Sequence, residues 1–469
     1  MERKSAISGP ENEMDREIRI RADWIAPAGA TDRKNYYFRA RKTFFVKTVS
    51  EDMELLIGAE SSYILYLNGL EIGRGPARGT HTINYCDSYQ VASSIQVGRN
   101  EIGVLCHCMN IETFIAAPAE PALAVEIAGI LKTDATWEVA PGQKEWRSDV
   151  MLYTVQTGFS EWRDLREEPL GWQVGNDSSP WENAVCVSRS SGILKKRFLP
   201  RLIPLLQETV HRPVEIPAKA IVPAPDDLED VKIAQLMTDE EHQSQNECLM
   251  IDLSSLNSTE GDGVTFSPTP DGGGLAIVFD FGREVIGRFE LEISTSDGTI
   301  VDIGHEEQLA QGRLQVAHET ANGERYDFAD RYILREGRQL VGNSLMERGF
   351  RMVQIVLRNL TGPATIHHVR AIDRRYPLDL KAAFHCSDPL LDQIWDACVE
   401  TLSVCTTDVF TDCPWRERAF WVNDLVVENL IALQLSGDQA LSARALQMAF
   451  SEPASNGLIN GVCPCPTEG

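Results

Sequence analysis

The chain has 469 residues, with 44 Lys+Arg against 69 Asp+Glu and a formal net charge of −25. Length alone suggests about three domains, and 43% hydrophobic with 24% charged residues excludes disordered and fibrous classes. A surface this acidic repels phosphate backbones, so no nucleic-acid partner is expected.

No stretch reaches the roughly 18 uninterrupted apolar residues of a membrane span. Residues 114–131 are broken by Pro118, Glu120, Pro121 and Glu126. Residues 1–14 are polar and charged, without the apolar core of a secretory signal. The expectation is a soluble, cytoplasmic protein with no membrane partner. Its 11 cysteines form no pair of CxxC motifs. Cys106-His107-Cys108 and Cys463-Pro464-Cys465 are the close pairs, and neither has the second half of a zinc site. Reduced thiols, no metal and no other cofactor are expected.

After a polar tail (1–18), residues 19–199 read as a β-sandwich of the jelly-roll type. Tyr63-Ile64-Leu65-Tyr66-Leu67, then Asn68-Gly69, then Leu70-Glu71-Ile72-Gly73 is a hairpin, because Asn-Gly supplies the two positive φ angles of a type I′ turn. Further strands are predicted at 44–46, 55–57 and 101–106. Trp137, Trp146, Trp162, Trp172 and Trp181 fit core filling better than a sugar-stacking surface. Residues 200–250, rich in proline and then acidic, read as a connector of extended chain and exposed loops.

Strands resume over 251–383, predicted as a second sandwich with a turn at Asp297-Gly298. His305-Glu306-Glu307 at a strand end reads as a solvated triplet rather than a metal or acid/base cluster. From 384 the period becomes helical. Ser387 is the expected N-cap, with Pro389 in the first turn. Leu391, Ile394, Trp395, Cys398, Leu402 and Cys405 mark one helical face. Further helices are predicted over 422–435, ending at Gly437, and over 439–450.

The chemically loaded segment is Asp412-Cys413-Pro414-Trp415-Arg416-Glu417-Arg418-Ala419-Phe420-Trp421-Val422-Asn423-Asp424. A carboxylic acid packed against Trp is desolvated, which raises its pKa and keeps it protonated near neutral pH. A neighbouring Arg can clamp a hydroxyl or hold a second carboxylate ionised. That set suits general-acid protonation of a glycosidic oxygen. It equally suits an Arg–Glu network closing a helix–loop junction, and composition does not separate the two.

Asp412-Cys413-Pro414-x-Arg416-Glu417-Arg418-x-x-Trp421-x-x-Asp424 resembles the signature of the bacterial α-L-rhamnosidase family of inverting glycoside hydrolases. Weaker similarities run upstream. Tyr66-Leu67-Asn68-Gly69 with Gly73-Arg74-Gly75-Pro76 looks like the family's N-terminal carbohydrate-binding-like sandwich, continued by Glu161-Trp162-Arg163-Asp164-x-Arg166, Gly171-Trp172 and Trp181. Phe279-Asp280-Phe281-Gly282-Arg283, Gly287-Arg288 and Gly349-Phe350-Arg351 look like the next sandwich. Phe384-x-Cys386-Ser387-Asp388-x-Leu390 with Ile394-Trp395 resembles the entry to the six-hairpin domain.

The resemblance implies a multidomain β + α chain: two β-sandwich domains, then the start of an (α/α)6 toroid over 384–469. It implies removal of terminal α-L-rhamnose from an oligosaccharide or glycoside. Glu417 would be the general acid, Asp412 and Asp424 would bind the sugar hydroxyls, and Arg416 and Trp421 would shape the pocket. The general base, roughly 6.5–9.5 Å from the acid in an inverting enzyme, would lie beyond residue 469, since about three or four helices of the toroid fit after Ser387. The expectation is thus a truncated toroid with little or no hydrolase activity by itself. A carbohydrate-binding or scaffold protein, or a toroidal glycosidase for another sugar, are the alternatives.

Overall fold

In the computed structural model the described residues are 20–465, apart from 61, 178, 189–190, 229–231, 244–250, 258–262, 270, 320–322 and 324. The expected tail, the last part of the acidic connector and residues 466–469 lie outside them.

The first β unit is two sheets packed face to face. One is seven-stranded and has Glu54–Ala59 between Leu123–Ile127 and Ile83–Gln90; the other is six-stranded and has Gly98–Cys108 between Tyr36–Val46 and Ser62–Leu67. Side chains alternate across a strand, so Leu55, Ile57, Tyr63, Leu65 and Leu67 enter one shared core with Phe38, Val104 and Trp137. Ile64 and Tyr66 point the other way. They are covered by Trp146 and Trp172, which explains why strand Ser62–Leu67 is apolar throughout. Trp162 and Trp181 lie under guanidiniums, with Arg331 4.9 Å and Arg41 3.9 Å from the ring centres. The five tryptophans therefore pack, as expected. Asn68 and Gly69 have φ of 51° and 83°, the predicted turn.

The proline-rich connector is more ordered than its composition suggested. Gln207–His211 and Glu215–Val222 are strands of the second unit, paired with Ala364–Arg375 and Gly274–Thr295. That unit is hydrogen-bonded into a single ten-stranded sheet rather than two separate ones. Gly274–Thr295 is 22 residues long, and its ladder breaks between Asp280 and Val285. There the strand folds over, so that Phe279 and Phe281 meet Phe289 at 6.4 Å between ring centres inside one core. Trp162–Asp164 from the first unit joins the same sheet, parallel to Ala329–Ile333.

Three helices close the chain: α1 (Pro389–Val404), α2 (Val422–Leu435) and α3 (Ala440–Ser451). Asp388, not Ser387, caps α1, its carboxylate accepting from Leu390 N at 3.0 Å. The residue immediately before Pro389 holds the extended backbone that both a cap and a pre-proline position require. Helix α2 ends as expected, with Gly437 at φ 72° just past it. The predicted apolar face of α1 is covered at its C-terminal end and partly at Trp395. Leu402 and Cys405 are buried, whereas Leu391 is 46% and Ile394 48% exposed. On α2 and α3, Leu430 (59%) and Phe450 (64%) are likewise exposed. No helix of the described residues is long and apolar enough to cross a membrane.

Candidate active site

Between α1 and α2 the chain makes a closed loop. Asp412 N donates to Ala419 O (3.1 Å), and Ala419 N donates to Asp412 Oδ1 (2.9 Å). Within it, Glu417 N donates to Cys413 Sγ at 3.4 Å. Arg418 has φ 52°, a left-handed conformation that costs a side-chain-bearing residue about 1–3 kcal/mol. Glu347 holds it there: Arg418 Nη1 donates to Glu347 O (2.7 Å) and Nη2 to Oε2 (2.9 Å). Arg418 is thus buried while Arg416, two residues away, is exposed.

The loop rests on both β units. Trp415 packs on Phe328 (4.6 Å) and His318 (5.6 Å) of the second unit, and Trp421 meets Phe114 of the first (5.5 Å). A Cβ on Gly349 would stand 2.1 Å from Pro414 O, so only glycine lets the strand Arg348–Arg358 pass this close beneath.

Glu417 is gripped by two donors. Its Oε1 accepts from Arg416 Nη2 (2.6 Å) and its Oε2 from Trp421 Nε1 (3.2 Å), leaving the side chain 17% exposed. The indole thus offers its N–H edge to the carboxylate. Burial pushes the Asp412 carboxyl up to about 6, and the adjacent Glu417 adds to the rise against the Ala419 N–H. The structure therefore brings Asp412, Arg416, Glu417 and Trp421 together. Asp424 lies in the first turn of α2, next to Glu428.

Two acids escaped the motif reading. Burial pushes Glu428 up to about 8, with Asp424 and Asp412 adding repulsion, and its Oε2 is buried without a hydrogen-bond partner. Glu284, at the fold in Gly274–Thr295, is likewise pushed up to about 8, by burial and then Glu307; its Oε1 is also unpartnered. Below them the Cys405 thiol is raised to about 12 by burial, then by Glu428, Cys413, Asp412 and Glu284. The spacing of Asp424 and Glu428, one helical turn apart, was the available signal for Glu428; nothing local marked Glu284.

The triplet His305-Glu306-Glu307 is not solvated as its composition suggested. Its strand, Ile300–Glu306, lies between two others, so His305 and Glu306 are buried, and Glu306 Oε2 pairs with His318 Nε2 at 2.8 Å. No group of three or more metal-ligating side chains occurs among the described residues.

Glu428 gives a pH test. A carboxyl raised from 4.5 to about 8 opposes folding once ionised. That penalty is absent below the unfolded value near 4.5, grows as pH rises towards 8 and is complete above it. Glu428→Gln is expected to stabilise the chain by about 2–3 kcal/mol above pH 8, discounted for partial exposure, and to change little at pH 4. Urea midpoints across pH check this; equal shifts at both ends would refute it.

Residues 273–370 match the bacterial α-L-rhamnosidase concanavalin-like domain, and residues 379–469 match the bacterial α-L-rhamnosidase six-hairpin glycosidase domain. Two stretches of the chain thus match domain models of the bacterial α-L-rhamnosidase family. The chain is similar in fold to the GH78 family rhamnosidase of Bacillus sp. GL1, with 20% identity and a TM-score of 0.82 over 96% of this chain and 65% of that one. It is also similar to α-L-rhamnosidase from Dictyoglumus thermophilum (20% identity, TM-score 0.67, 96% and 46%). A third neighbour is Streptomyces avermitilis α-L-rhamnosidase complexed with L-rhamnose (18%, 0.63, 92% and 38%). The chain thus spans less than two thirds of the length of each. No curated protein matches it. The loop 412–424 falls inside the six-hairpin match.

Proposed function

We propose that the chain is the N-terminal portion of an inverting α-L-rhamnosidase acting in the cytoplasm on terminal α-L-rhamnosyl residues. In this reading the jelly-roll-like first sandwich and the folded ten-stranded second unit precede the first helices of an (α/α)6 toroid. The remaining hairpins, and the general base, follow residue 469. The exposed apolar positions on α1, α2 and α3 support this, since large uncovered apolar surfaces mark missing partners.

The observation that carries the reading is the paired carboxyl group of Asp412 and Glu417, braced by Arg416 and Trp421 and backed by Asp424 and Glu428. Glu417 protonates the departing glycosidic oxygen, Asp412 and Asp424 bind the rhamnose hydroxyls, and Arg416 and Trp421 shape the pocket. A second reading, with Asp412 as proton donor, is favoured by its rise to about 6: it holds a proton in mildly acidic solution.

The test is turnover of an aryl α-L-rhamnoside by a longer chain that includes the remaining hairpins, with the product anomer followed by NMR. β-L-Rhamnose as the first product supports the proposal; retention, or preference for another sugar, refutes it. The 469-residue chain alone is expected to turn over little or none, and saturable rhamnose binding without turnover in the longer chain would favour a carbohydrate-binding role.

A further inference from the structure

Two aromatic side chains at the active-site loop fill no core. Phe114 of the first β unit meets Trp421 edge to face at 5.5 Å, and both residues are partly exposed. Among the described residues neither belongs to a buried apolar cluster. Paired rings left at the surface beside convergent polar groups are the usual lining of a small-molecule site. The pair also spans two bodies. Phe114 lies between strands Gly98–Cys108 and Leu123–Ile127 of the first unit, whereas Trp421 immediately precedes α2.

The segment that carries Phe114 is held from several sides. Its turn closes at Thr113, whose N donates to Ala116 O (3.1 Å) and whose Oγ1 accepts from Ala116 N (2.9 Å). Phe114 N donates to Gln156 O (3.0 Å), and Gln156 Nε2 donates to Tyr326 Oη of the second unit (3.2 Å). On the other flank His81 lies between two carboxylates. Its Nε2 is 3.0 Å from Glu112 Oε1, and its Nδ1 is 2.8 Å from Oε1 of Glu452, just past α3. Trp421 is fixed as well: Val422 N donates to Gly461 O (2.8 Å), and the indole N–H already donates to Glu417 Oε2. A wall braced in this way has little freedom left to lose when a ligand arrives.

The place of the wall beside Glu417 decides what it receives. An acid that protonates a glycosidic oxygen stands where sugar and leaving group join. On the function proposed above, the rhamnose hydroxyls fall to Asp412 and Asp424. The apolar wall, reached through Trp421 on the Oε2 side of Glu417 and away from the Arg416 donor on Oε1, is then left for the leaving group. We infer that Phe114 forms the leaving-group side of the active site and takes the flat apolar face of a ring, aryl or pyranose, on the aglycone. The first β unit thereby sets aglycone preference, although it carries none of the ionisable groups of the reaction. The inference rests on the hydrolase reading, and the substrates below separate the two.

The test is steady-state kinetics of the active enzyme on p-nitrophenyl α-L-rhamnoside, on an α-L-rhamnosyl-glucose disaccharide and on methyl α-L-rhamnoside, whose leaving group has no ring. Phe114→Leu, which keeps apolar bulk, and Phe114→Ala are each expected to raise KM on the ring-bearing substrates about fivefold with kcat little changed, the size of one ring contact. Both are expected to leave methyl α-L-rhamnoside turnover and competitive inhibition by L-rhamnose at parental values, and Phe114→Tyr is expected to behave as the parent does. An effect on both ring-bearing substrates, or on one of them, supports the inference and says which ring is taken. An equal loss on the methyl glycoside, the mark of a merely structural contact, would overturn it, as would parental KM values on both ring-bearing substrates. A parent enzyme that hydrolyses no rhamnoside would overturn the proposed function itself, and this inference with it.

Discussion

Replacing Glu417 with glutamine is expected, on the proposed function, to lower kcat of the active enzyme on an alkyl α-L-rhamnoside by about 10²–10⁴-fold. Glutamine keeps the length of the side chain and a carbonyl oxygen for the Trp421 indole N–H, which donates to Glu417 Oε2 at 3.2 Å. What is lost is the ionisable group and the second acceptor oxygen, which takes the Arg416 guanidinium N–H. A group that protonates a departing oxygen matters less when that oxygen leaves readily as an anion. The deficit is therefore expected to shrink on nitrophenyl rhamnosides, with KM little altered. Asp412→Asn is the companion variant. If Asp412 were the donor, it would show the leaving-group dependence and Glu417→Gln would not. A Glu417→Gln enzyme with unchanged rates on all leaving groups would remove that residue from the acid role.

Asp302→Asn is expected to destabilise the second β unit by about 3–5 kcal/mol, the usual effect of breaking a fully buried ion network from one side. Asp302 accepts from Arg331 Nε (2.6 Å) and Nη2 (2.8 Å) and from Arg358 Nε (2.8 Å). Its side chain and that of Arg331 are fully buried. Burial pushes the Asp302 carboxyl up, and the two guanidiniums overcome that and hold it below its ordinary value. An acid depressed in this way stabilises the fold above its unfolded pKa and loses that contribution as pH falls through the folded value. The variant is therefore expected to differ most from the parent near neutral pH and to converge with it in strong acid. Chemical denaturation followed by tryptophan fluorescence measures it, since Trp162 stacks on Arg331. An unchanged midpoint at pH 7 would show that the network is not a stability element.

The features that could be read from the chain were those set by neighbours in sequence. The Asn68-Gly69 turn needs two positive φ angles, and its two residues are the pair best able to supply them. Helix α2 follows from apolar spacing and a terminal glycine. What escaped was set by distant residues. Gln207–His211 and Glu215–Val222 hid among prolines because Pro217 falls where the ladder to Gly274–Thr295 shifts register, between Glu215 and Ala218. A residue without an N–H is tolerated at such a break. Likewise, Asp412, Arg416, Glu417 and Trp421 lie together because they share one loop. Glu284, which acts with Asp412 and Glu428 on Cys405, was not found, since its position depends on a strand folding over more than a hundred residues earlier. The burial of His305 and Glu306 depends in the same way on strands that come later in the chain.

The three residues Trp162–Asp164 lie within the first unit's sequence yet hydrogen-bond into the second unit's sheet. Arg163 from the same strand is tied back to Glu145 at 2.6 Å, so one short segment is sewn into both bodies. Limited proteolysis or genetic excision near residue 200, where composition invites a cut, would strip an edge from the piece that remains and leave its backbone amides open to solvent. For dissection, the two β units count as one module.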